Sequence, residues 1–109
     1  MSKLNQTKKI LADVPLENAF YFHTDVRVYT DRYALNLEKF YQILKDINIK
    51  SIEFHTKNTD IEKWLRFIGE RTSALQIAKL RKKSVEGEVL RKKIQDILRN
   101  RINKLRSSI

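Results

Sequence analysis

Residues 85–106 read VEGEVLRKKIQDILRNRINKLR, and this stretch decides the fold class. Leu90, Ile94, Ile97, Leu98, Ile102 and Leu105 recur at the three- and four-residue spacing of one helix face. A helix of roughly 20 residues spans about 30 Å, which is long for a chain of 109 residues. Charged side chains are too frequent along it for a membrane span. A chain of this length builds one small domain around one core, and this helix is its longest expected element.

Upstream, Ser73-Ala74-Leu75-Gln76 fits a capping box and predicts a helix through Lys83 with Leu75, Ala78 and Leu80 facing inward. Thr59-Asp60-Ile61-Glu62 fits the same pattern. Ile61, Trp64, Leu65 and Ile68 follow as an apolar stripe, and Gly69 is a natural stop. Asn36 is an expected N-cap for a helix with Leu37, Phe40, Tyr41 and Leu44 on one face, widened by Ile43 and Ile47. The octets Leu37–Leu44 and Ile61–Ile68 resemble each other, which marks both as core helices. Ser51 to Thr56 is too short for periodicity to separate a buried strand from a helical turn.

Towards the N-terminus the period changes to two. Phe20 and Phe22 alternate with Tyr21 and His23, and Val26 and Val28 alternate with Arg27 and Tyr29. A β-hairpin turning around Thr24-Asp25 is expected, without the glycine that tight turns favour. Pro15 closes the preceding segment, because its ring pushes Val14 out of the helical region. The expected fold is α+β and mostly α. It consists of a small N-terminal β-hairpin packed on a compact bundle of about four helices, with a long basic C-terminal helix. Residues 1–15 are expected to form an arm or short helix, and residues 16–109 a single compact domain.

The chain holds 23 Lys+Arg against 13 Asp+Glu, a formal net charge of +10. It has no cysteine, which excludes disulfides, thiolate catalysis and cysteine metal sites. No apolar run near the start suits a signal peptide, so a cytoplasmic protein with no membrane contact is expected. The charge is uneven. Residues 79–109 hold 11 basic and 3 acidic side chains, whereas residues 1–78 hold 12 and 10. A basic segment of this density points to an acidic partner, with nucleic acid foremost.

On the last helix Lys92, Arg99 and Arg106, seven residues apart, form a ridge, and Lys93 and Lys104 lie on the other flank. The neutral strip between them holds Asp96, Asn100 and Asn103. Arg91 and Arg101 fall beside the apolar stripe, where their stems can pack while the charged heads reach water. Arg81, Lys82 and Lys83 extend the basic surface from the preceding helix. Arg81, Lys82, Lys83, Lys92, Lys93, Arg99, Lys104 and Arg106 are the expected phosphate contacts of a DNA-, RNA- or ribosome-binding protein. Five such contacts predict a log–log salt slope of about −4.5 on duplex DNA. The alternative is a protein-interaction module, dimerising or docking through Leu98, Ile102, Leu105 and Ile109.

Catalytic chemistry finds little support. The two histidines, His23 and His55, lie far apart and outside any ligand-spaced cluster, and the chain has two glycines and no phosphate loop. No catalytic residue, cofactor or metal is expected, and the protein is not expected to be an enzyme. His55 and Asp60 are placed to meet at the start of the Trp64 helix, with His55 bonding backbone there. Phe20 and Phe22 are core candidates. Tyr21 and Tyr29, on the opposite hairpin face with Arg27, are the rings available for base stacking.

Ser51-Ile52-Glu53-Phe54-His55, followed by Asp60-Ile61-Glu62-Lys63-Trp64, resembles a small family of archaeal and bacterial domains of unknown function. Phe20-Tyr21-Phe22, Leu37 to Leu44 and Leu90-Arg91-Lys92-Lys93 match that pattern in order, so the resemblance covers about residues 18–105. The chain departs from it in carrying Ile61 where an aromatic is usual, and in a short Thr56 to Thr59 connector. The resemblance implies a shared compact helical domain in which His55 and Trp64 form a structural junction. It implies no activity.

Overall fold

Among the residues described, 3–109 in this computed structural model, the caps and stripes resolve into six helices and one hairpin. The order is α1 (Lys3–Leu11), a 3₁₀ turn (Leu16–Asn18), β1 (Phe20–Asp25), β2 (Val28–Ala34), α2 (Leu37–Leu44), α3 (Ile49–Lys57), α4 (Asp60–Phe67), α5 (Arg71–Lys82) and α6 (Gly87–Arg106). The expected α+β, mostly α class is what this chain adopts. Of the expected N-terminal arm, Met1 and Ser2 lie outside the described residues. Lys3–Leu11 form a helix that buries Ile10 and packs on α2 and α6, and residues 12–15 are irregular.

Helix α2 forms as its sequence dictates. Asn36 is extended, and its side chain accepts a hydrogen bond from the Lys39 N–H at 2.7 Å while its Nδ2 donates to Asp13. Leu37, Phe40, Ile43 and Leu44 are buried. Loss of an N-cap of this kind costs about 1 kcal/mol. Asn36→Ala is therefore expected to lower the unfolding free energy in urea by about that amount, with the m-value unchanged.

The hairpin is antiparallel, with Tyr21 opposite Tyr33 and His23 opposite Tyr29. Its turn is Val26-Arg27, two residues later than expected. Arg27 takes the left-handed conformation at φ 67°, and the Asp25 carboxylate accepts from the Val26 N–H. A second left-handed residue, Asp31 at φ 66°, sits within β2 where the register slips. Thr30 closes that irregularity by donating to the Phe22 carbonyl at 2.7 Å. Phe20 and Phe22 face the core, β1 resting on α3 and β2 on α2.

The ambiguous segment is helical. Asn48 caps α3 by accepting from the Lys50 N–H, and Ser51, Ile52, His55 and Thr56 form the buried face. Thr59 does not form the expected capping box. The α3–α4 link is so short that Thr59 must turn it at φ 63°, and its hydroxyl makes no cap bond. Glu62, the other half of that box, is buried instead.

Gly69 ends α4 at φ +96°, and the Glu70 N–H reaches back to the Leu65 carbonyl at 2.7 Å, as in a Schellman closure. Glu70, not Ser73, caps α5. Its side chain accepts from the Ser73 N–H, which starts the helix three residues early and rotates the inward face. Ser73, Ala74 and Ile77 are buried, whereas Leu75 is 65% exposed. Helix α6 begins at Gly87, whose N–H donates to Glu53 of α3 at 2.9 Å. Ser84, at φ 56°, and the extended Glu86 take up the residues before it. As expected, Leu90, Ile94, Leu98, Ile102 and Leu105 are buried, and Ile97 packs against them.

Candidate functional site

Helix period sorts the lysines of the C-terminal third into two groups with different surroundings. On α5, Thr72, Gln76, Lys79 and Lys83 lie at i, i+4, i+7 and i+11. On α6, Lys93, Ile97, Asn100 and Lys104 repeat that spacing. Residues so spaced share one helix face. Thr72 and Gln76 meet Ile97, Asn100 and Lys104 across a cleft of about 430 Å³ between the two helices. Lys79, Lys82, Lys83, Lys93 and Lys104 are exposed, and no described carboxylate pairs with any of them.

The expected ridge of Lys92, Arg99 and Arg106 is in a different state. Lys92 and Arg99 both bind Asp96, at 3.2 and 2.9 Å, and Arg106 pairs with Glu38 of α2. The Lys92 hydrogen bond, foremost, holds Asp96 below the usual carboxylate range. Two carboxylates thus offset most of the ridge's charge. Exposed pairs of this kind are worth only about 0–1 kcal/mol, so a phosphate can displace them, but it gains less there than at an unpaired lysine.

Arg81 leaves the expected set. Its Nε and Nη2 donate to both oxygens of the buried Glu62, at 2.7 and 3.2 Å, tying α5 to α4. That pair raises the Arg81 pKa further, chiefly through the hydrogen bond that Arg81 donates to Glu62. The arginines beside the apolar stripe are engaged in the same way. Arg101 pairs with Glu70, which is fully buried, and Arg91 donates to the Leu44 carbonyl at the end of α2 and to Glu88. Lys79, outside the expected set, is a further exposed lysine on the same face of α5. The signal for it is the i+4 spacing to Lys83, legible once the start of α5 is known.

The stripe invoked for a partner helix is internal. Leu98, Ile102 and Leu105 belong to the core, and only Ile109 of that set is exposed.

His55 and Asp60 do meet. Nδ1 of His55 lies 2.8 Å from Oδ2 of Asp60, and Nε2 accepts the His23 backbone N–H at 2.8 Å. The proton therefore sits on Nδ1 and is donated to the carboxylate. Burial lowers the His55 pKa, and Asp60 opposes that shift without overcoming it. A ring whose second nitrogen is occupied by backbone is not free to act as a general base. Around it, Phe20 packs edge-on to Phe40 and His55, and Trp64 Nε1 donates to the Asn18 carbonyl at 2.9 Å. On the outer hairpin face Tyr21 contacts both Tyr29 and Tyr33, so the exposed aromatic set is larger by Tyr33 than the sequence suggested. No group of three or more metal-ligating side chains forms among the described residues, and no described helix is long and apolar enough to cross a membrane.

The model of a family of unknown function, DUF5752, matches residues 1–99 of this chain. The chain belongs to that family. No curated protein and no solved structure matches it. The DUF5752 match takes in the hairpin, α1 to α5 and most of α6, and it brings no activity with it.

Proposed function

We propose that this DUF5752 domain is a non-enzymatic nucleic-acid-binding protein, gripping phosphates with the exposed lysines of α5 and α6. The observation that carries this reading is the separation of partnered from unpartnered cations. Arg81, Arg91 and Arg101 hold the fold together, whereas Lys79, Lys82, Lys83, Lys93 and Lys104 pair with no carboxylate among the described residues. Five uncompensated charges on two adjacent helices raise the local potential, and a polyanion relieves it while releasing its own counterions. Lys92, Arg99 and Arg106 border this surface as a partly neutralised rim.

Charge reversal tests the assignment. Lys83→Glu, Lys93→Glu and Lys104→Glu combined are expected to weaken binding of an oligonucleotide by roughly two orders of magnitude at 0.1 M salt. Lys92→Gln with Arg99→Gln is expected to cost much less, because Asp96 already offsets those charges. Equal losses in fluorescence anisotropy titrations of the two variants would contradict the division made here.

A further inference from the structure

One face of α4 lines a second cleft, far from the lysines in sequence. Asp60, Lys63, Trp64 and Phe67 fall at i, i+3, i+4 and i+7, and they face Phe20, Tyr21 and His23 of β1 across an open space of about 420 Å³. That volume lies within the usual range for small-ligand sites, about 300–1,000 Å³. The floor is apolar and aromatic, since Phe20, Trp64 and His55 are buried. Phe67, 57% exposed, stands at its edge, and Lys63 is exposed beside it.

The carboxylate of Asp60 is aimed rather than loose. Its Oδ2 accepts from His55, and His55 is itself fixed by the His23 N–H, so the rotation of the carboxylate is set by two successive hydrogen bonds. Among the described residues no donor reaches its Oδ1. The cleft thus offers aromatic surface, one oriented hydrogen-bond acceptor and one cation. A planar heterocycle carrying an N–H donor and an attached phosphate satisfies all three.

We infer that this cleft receives one unpaired nucleobase bearing an exocyclic amino group, stacked against its aromatic rings with the amino group on Asp60 Oδ1 and the neighbouring phosphate at Lys63. The inference rests on the nucleic-acid reading above. A base within a strand is chosen over a free nucleotide because Tyr21, which lines the cleft, continues into Tyr33 and Tyr29 at 5.6 and 5.8 Å between ring centres. Both are substantially exposed, and they extend the stacking surface for the next bases. Uracil, which has no exocyclic amino group, is disfavoured, because its one donor on that edge, N3–H, is flanked by two carbonyls that the carboxylate repels.

Trp64 is the only tryptophan and lines the cleft, so its emission reports occupancy directly. Single-stranded oligoadenylate and oligocytidylate are expected to quench it, with oligouridylate quenching least. Phe67→Ala, at a site too exposed to threaten folding, is expected to weaken single-strand binding about fivefold or more and to leave duplex binding unchanged. Asp60→Asn is expected to narrow the preference over uridylate. Strand binding with unchanged Trp64 emission and an unaffected Phe67→Ala variant would overturn the cleft assignment and leave the lysine reading standing. Quenching by free adenosine monophosphate with no binding of any strand would overturn both the lysine reading and the strand as the source of the base.

Discussion

Arg101→Met is expected to destabilise this domain more than any other single change at a charged residue, by about 3–5 kcal/mol. Glu70 is fully buried, and among the described residues the Arg101 guanidinium is its only cationic partner. The same carboxylate caps α5 through the Ser73 N–H, so one side chain sets the start of one helix and anchors it to another. With Arg101 removed, a carboxylate stays in the interior without a counter-charge. In a thermal melt this corresponds to a fall in Tm of roughly 12 °C or more for a domain of this size. The double variant Glu70→Gln with Arg101→Met is expected to recover a large part of the loss, because no buried charge is then left unpaired. If the single and double variants melted at the same temperature, the ion pair would not be the source of the effect.

The second large effect belongs to His55 and depends on pH. In the folded chain burial lowers its pKa below the ordinary 6.5, so the native state favours the neutral ring. The unfolded chain takes up the proton first as pH falls. The unfolded state then binds more protons than the native state, and stability drops. The contribution is therefore complete above about pH 6.5 and declines below it, down to the folded-state pKa, with a slope no steeper than about 1.4 kcal/mol per pH unit for one proton. Carboxylates held by cations, such as Asp96 and Asp46, titrate further down and add their own loss in stronger acid. His55→Leu is expected to cost about 2–3 kcal/mol near neutrality, since it leaves the His23 N–H without an acceptor. It should also flatten the stability profile between pH 5 and 7. Urea denaturation across that range measures both. An unchanged slope in His55→Leu would assign the pH dependence elsewhere.

The elements legible in the sequence were those whose apolar residues alone define a face. Helices α2 and α6 belong here, with Asn36 as a genuine cap and Leu90 to Leu105 as a continuous stripe. Helix α3 is ambiguous because three of the four residues on its buried face are polar. Ser51, His55 and Thr56 point inward, so hydropathy shows no stripe. The departures at Thr59 and Ser73 each turn on a buried glutamate. Glu62, the partner within the first box, is claimed by Arg81, whereas Glu70, outside the second box, takes the cap itself and pairs with Arg101.

The same pairings explain how far the candidate site could be read. The segmental charge excess was visible from composition, but which cations are free is a property of tertiary contacts. Arg81 stands next to Lys82 and Lys83 in sequence and yet serves a buried carboxylate from another helix. The encounter of His55 with Asp60 was foreseeable from spacing. The cleft they help to build was not, because it needs β1 and α4 side by side, and these are about forty residues apart.

Salt titration of binding tests the central claim most directly. Fluorescence anisotropy with labelled duplex DNA, single-stranded DNA and RNA is followed at several KCl concentrations. Five lysine–phosphate contacts predict log–log slopes of about −4.5 on the duplex and about −3.5 on single strands, with the slope shrinking by about 0.9 on duplex for each lysine neutralised. Affinity that does not change with salt, or no binding to any of the three at low salt, would contradict it.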